Sequence, residues 1–172
     1  MDEVWKPTLW RQFGAAIDML HDAIKSCPDS LWLRPVWREG ANETDYSQVW
    51  NVIYHILFWL DLYLSGSVDG FVPPPPFGMD ELDPRGLLPS SVYSRQELED
   101  YLHHCRAKCR DTISSLTIER AAQVCTFSWG EMPYLELQLY NMRHVQEHAA
   151  QLHLFLGSEL GSSPGWVARA RE

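Results

Sequence analysis

The sequence predicts an all-α protein, a four-helix bundle with a long proline-rich crossover between its second and third helices. Three observations carry that prediction. Four segments place apolar residues at spacings of three and four, which aligns them along one face of a helix. The stretch from Ser65 to Tyr93, containing Pro73-Pro74-Pro75-Pro76, is too long for a hairpin and too rich in proline to continue a helix. Finally, 172 residues with 45% hydrophobic and 22% charged side chains suffice for one buried core without staples. The whole chain, 1–172, reads as one domain, with a core of about 8–157 and a C-terminal tail of 158–172.

The first segment runs from Thr8 to Ser26, with Trp10, Phe13, Ile17, Leu20 and Ile24 on its stripe. Cys27-Pro28 stops it, because a residue before proline is pushed out of helical geometry. The second runs from about Tyr46 to Leu64, with Asp45 or Ser47 as its cap and Gly66 after its end. It is apolar nearly all round, as a helix buried on several sides must be. The third opens on a capping box, Ser94 followed by Glu97, and carries Leu98, Leu102, Cys105, Cys109 and Leu116. The fourth starts near Pro133 and runs through Leu139, Val145, Ala149 and Leu152 to a stop at Gly157. The crossover is expected to run back along the bundle, which makes the second and third helices parallel. Residues 114–132 form a further irregular connection with room for a short strand pair.

Composition removes several functions. A net charge of −9 lacks the basic footprint of a phosphate-backbone binder, so nucleic acid is not an expected partner. The N-terminus lacks the order of a signal peptide, and the apolar run from Val49 to Leu64 is interrupted by Asn51, His55 and Asp61, so no membrane is expected. Four unevenly placed cysteines (27, 105, 109 and 125) do not form a disulfide framework, and the expected location is cytoplasmic. Phosphate-binding glycine loops and the Gly-x-Ser-x-Gly elbow are absent from the sequence.

The chemistry concentrates in histidine. His144 and His148, four apart, stand one turn above the other on a helix, on the shoulder of the core stripe. His55 lies in the middle of the most apolar helix. A buried imidazole with an unpaired nitrogen costs about 1–3 kcal/mol, and three inward-leaning rings sharing one cation resolve that cost together. Three imidazoles with a fourth position open make a catalytic type of site for a borderline-soft divalent ion. Zinc or nickel suits it first; iron, manganese and copper are the alternatives.

His55 in an apolar helix, the proline-rich crossover and His144-x-x-x-His148-Ala149-Ala150-Gln151-Leu152 together resemble the DinB-like superfamily of four-helix bundles, of the YfiT type. The resemblance spans about residues 8–157, with Ala150 where many members have glycine. It implies one divalent metal on His55, His144 and His148, and it favours a homodimer. For activity it implies a small-molecule enzyme. The first expectation is a thiol-dependent S-transferase that activates a low-molecular-weight thiol as co-substrate. The alternative is a metal-dependent hydrolase using metal-bound hydroxide, and a third reading is a non-catalytic metal-binding or dimerisation module.

Other candidates are weaker. His144-x-x-Glu147-His148 has the form of an inverted zinc-peptidase signature. A downstream acidic ligand is missing, so Glu147 stands as a weak catalytic candidate and is expected on the surface. Asn51, Trp59 and Tyr140 are candidate pocket residues, with Trp50 and Tyr54 beside them. His21 is a candidate extra ligand, and His103 and His104 are expected to face solvent. His153 is expected to be structural, and Cys105 and Cys109 to pack as small hydrophobes.

Overall fold

The computed structural model describes residues 2–37 and 45–172. Helix α1 spans Asp2–Ser26, beginning earlier than the predicted Thr8. Pro7 lies inside it, near its start, where one missing hydrogen bond is outweighed by the buried face of Phe13, Ile17, Leu20 and Ile24 further on. Beyond the stop at Cys27-Pro28, residues 32–36 lie against the entry to helix α2, Val49–Ser65. The N–H groups of Val49 and Trp50 donate to the carbonyls of Arg34 (3.0 Å) and Trp32 (3.2 Å). That explains why neither predicted cap is used. Two orphan donors of the first turn already have backbone acceptors, and Gln48 takes the N-cap position without a side-chain capping bond, its Oε1 accepting Trp50 Nε1–H instead, behind a 3-10 turn at Asp45–Ser47.

Helix α2 is buried along its whole length except at His55, Trp59 and Ser65. It ends at Gly66, whose φ of 81° is left-handed and whose missing Cβ would meet the Tyr134 ring at 2.8 Å. The crossover then returns toward the start of α2. Phe71 meets Phe58, Phe77 stacks near Tyr54, and Tyr93 meets Trp50, at ring-centroid distances of 5.5, 6.0 and 6.0 Å. Helix α3, Arg95–Ser115, opens with the predicted capping box complete. Leu57 of α2 meets Cys105 and Ser65 meets Lys108, so α2 and α3 are parallel, as expected.

A short helix α4, Ile118–Ala122, leads into an antiparallel pair, β1 (Val124–Phe127) and β2 (Gly130–Pro133). Helix α5, Tyr134–Leu160, does not stop at the predicted Gly157. Gly157 stays helical, and Gly161, at φ 73°, makes the left-handed turn that ends the helix. In the bundle α1 packs on α3 and α5, and α2 packs on the same two helices. Contacts of Asp18 with Arg106 and Leu60 with Asn141 run the pairs α1/α3 and α2/α5 antiparallel, with Lys6–Ser114 and His55–His144 completing each direction.

The C-terminal tail straps across α1. Trp166 sits beside Gln12 and Met142 in the α1/α5 groove, and Arg171 reaches Asp22 and Asp18 on the other side. Where the strap crosses, Gly14 lacks the Cβ that would meet the Ala170 methyl at 2.5 Å. No helix among the described residues is long and apolar enough to cross a membrane.

Candidate metal centre

Helix α2 supplies His55 at one of its three gaps in burial, and α5 supplies His144 and His148 one turn apart. One nitrogen of each ring lies within 4.8 Å of the other two. His55 Nε2 and His144 Nε2 are 3.1 Å apart, close to the roughly 3.3 Å that two ligands on a tetrahedral zinc at about 2.05 Å would span.

The far sides of two rings are tied down. His55 Nδ1 donates to Glu81 Oε2 at 2.7 Å, and His148 Nδ1 donates to Gln151 Oε1 at 2.7 Å. Each bond keeps the proton on Nδ1 and leaves the Nε2 lone pair free. Nδ1 of His144 is buried with no partner among the described residues, and with the His55 proton on Nδ1 the His144 proton sits on Nε2, donated to His55 Nε2 at 3.1 Å, where a bound cation would replace it. Burial, then the neighbouring imidazoles of His55 and His148, push the pKa of His144 down to about 3. His148 is also lowered, mainly by burial, against an opposing pull from the Gln151 bond. Both rings are therefore neutral donors at neutral pH. Three imidazoles so arranged fit a divalent cation.

Glu81 is the residue that sequence reasoning misses. It lies in a 3-10 turn of the crossover, Asp80–Leu82, and its Oε2 also accepts Trp59 Nε1–H at 2.8 Å. The crossover has no periodicity to show which of its acidic residues turns inward. Its return alongside α2, forced by the parallel helices, was the available signal.

A pocket of about 250 Å³ opens beside His55 and His148. Asn51 lines it, with Trp37 and Tyr46 on one wall and Asp80, Glu81 and Asp83 on another. The other two candidate pocket residues sit elsewhere. Trp59 hydrogen-bonds Glu81, and Tyr140 stacks on Trp129 at 5.1 Å beneath the β hairpin. Trp50 and Tyr54 are buried against the crossover, where the Tyr54 hydroxyl donates to the Gly78 carbonyl.

Glu147 is exposed in the α1/α5 groove with Gln12, Arg143 and Trp166, turned from the three histidines. His21 meets His103 at the α1/α3 contact and is not in the cluster. His104 is exposed, 3.6 Å from the buried Asp61, and His153 Nε2 bonds the Met19 carbonyl at 2.9 Å as a structural group. Cys105 and Cys109 are fully buried, and burial raises both thiols, so they pack as apolar side chains.

No curated protein matches the chain. Residues 12–152 match the DinB superfamily, and over that span, which takes in His55, His144 and His148, the chain belongs to it.

Proposed function

We propose that the protein holds one divalent metal ion on Nε2 of His55, His144 and His148 and works as a metal-dependent enzyme on a small molecule, best as a thiol-dependent S-transferase. The observation that carries this reading is the convergence of one nitrogen from each of three imidazoles while Glu81 and Gln151 hold Nδ1 of two of the rings. An ion on three neutral imidazoles keeps its full charge, prefers zinc or nickel, and lowers the pKa of a thiol or a water brought to it. The chain's own residues do the rest. Glu81 and Gln151 orient the ligand rings, and the pocket walls of Trp37, Tyr46 and Asn51 receive the organic part of the substrate.

Glu147 faces away and Glu81 is committed to His55 and Trp59, so neither is free as a general base, which favours a pre-ionised thiol. Hydrolysis is the second reading, supported by the carboxylates of Asp80 and Asp83 in the lining of the same pocket. A homodimer is supported by Leu154, 73% exposed on α5, beside an open groove lined with Leu33 and Val36. Four cysteines free of disulfides support a cytoplasmic location.

Elemental analysis of untagged protein tests the centre. One divalent ion per chain is expected, lost in His55→Ala and His148→Ala, and no uptake from a mixture of ions overturns the reading. In cobalt-substituted protein, a thiolate-to-cobalt charge-transfer band with small thiols separates the transferase from the hydrolase.

A further inference from the structure

The pocket beside the three histidines carries a second chemical preference. Every charged side chain among the described residues lining it, the imidazoles aside, is acidic: Asp80, Glu81 and Asp83. Arg85 clamps Asp83 from outside at 2.6 Å, and Glu81 is held by His55 and Trp59. Asp80 has no ion-pair partner among the described residues, and the neutral Tyr54 hydroxyl beside it leaves its negative charge uncompensated on the wall.

A second observation comes from α2. Asn51 is 3% exposed and lines the same pocket. Its Nδ2 donates to the Tyr46 carbonyl at 3.0 Å, which fixes the amide's orientation, and its Oδ1 is left buried without a donor among the described residues. Such an unmet acceptor costs about 1–3 kcal/mol unless a ligand supplies an N–H or O–H. The remaining lining is uncharged: Val52, Gly86 and Leu87, with Trp37 and Tyr46, whose aromatic faces attract cations. Acceptors, a carboxylate and aromatic faces, with no lysine or arginine among the described lining residues, ask for one kind of group.

We infer that the pocket binds a ligand carrying a protonated primary amine, with the ammonium on Asp80 and the Asn51 carbonyl and an apolar stem against Trp37 and Tyr46. Calling that ligand the substrate rests on the metal reading above; the amine selectivity does not. The ammonium end would lie on the crossover side, leaving the rest of the molecule to reach the histidines.

Calorimetric titration of the full chain as purified, at pH 7, with benzylamine and with benzyl alcohol tests this. Benzylamine is expected to bind at least about 10-fold more tightly than the isosteric alcohol. Asp80→Asn removes that difference, Asp80→Glu keeps it, and Asp69→Asn, an equal charge loss in an exposed turn, leaves it unchanged. Melting curves and metal content are read on every variant. Equal affinity for the two probes, no binding of benzylamine, or selectivity that survives Asp80→Asn overturns the inference; survival in that variant would mark the amine as a direct metal ligand. Selectivity in a chain that takes up no metal supports the inference and sinks the metal reading, and one ion per chain without selectivity does the reverse.

Discussion

Glu81 Oε2 accepts two donors at once, from His55 at 2.7 Å and Trp59 at 2.8 Å, and so connects the crossover to the ligand ring. A carboxylate behind a ligating imidazole fixes its tautomer and raises its basicity, and losing one commonly costs 10–100-fold in metal affinity. Glu81→Ala is therefore expected to weaken metal binding by about 10–100-fold in competition with a chelator, and Glu81→Gln by less, since the amide oxygen still accepts. The three histidines were legible in the sequence because helical spacing fixes what shares a face. Glu81 was not, because in a segment without a period the side that faces inward is set by tertiary packing. Trp59 and Tyr140, named as pocket candidates because they lie on the site helices, are engaged by Glu81 of the crossover and by Trp129 of the hairpin. Chemistry at Cys105 and Cys109 is excluded by the same burial that raises their thiols. A thiol reagent is expected to leave both unmodified in the native protein and to react with them after unfolding, read by mass spectrometry.

Among the helices, α2 and α3 are joined by a buried polar tie as well as by apolar packing. Asp61, 1% exposed, accepts the Tyr101 hydroxyl at 3.1 Å and Lys108 Nζ at 2.5 Å. Asp61→Ala strands the buried Tyr101 hydroxyl and removes the counter-charge of Lys108, whose Nζ keeps Ser65 Oγ and the backbone carbonyl at 61, and urea denaturation is expected to show a loss of about 2–3 kcal/mol. Ser94→Ala, which opens the capping box at the start of α3, costs less, about 1 kcal/mol. The two ends that sequence reasoning misplaced have different settings. Thr8 and Gly157 carry sound local signals, but α1 continues upstream through Trp5, which packs on the core, and α5 continues past Gly157 through the exposed Ser158, Glu159 and Leu160 to the left-handed Gly161. At the entry to α2 a neighbouring strand of backbone, remote in sequence, replaced the predicted side-chain cap.

Across the whole molecule the C-terminal strap is held by the buried Val167 and the Ala170 N–H bond to the Arg11 carbonyl, and at its end by charge. The Arg171 guanidinium hydrogen-bonds Asp22 and holds its carboxyl below the usual carboxylate range. A depressed carboxyl contributes attachment that is complete above its free value and is lost as pH falls through its folded value. The strap is thus expected to stay bound at neutral pH and to loosen only below about pH 4. Amide hydrogen exchange over residues 166–172 reads that release, and Gly14→Val, which fills the crossing point, should produce it at neutral pH. The metal centre has a different geography, since His144 and His148 are local to one helix while His55 is 89 residues away from His144. On the proposed reading, an unfolded chain retains a two-imidazole chelate within α5, and the third donor arrives only when α2 docks. Coordination number then becomes a clock for assembly. Cobalt added to a refolding chain should register as a weak early spectrum that sharpens when His55 meets His144, and affinity left in the unfolded state would make the metal's stabilising effect smaller than its native affinity implies.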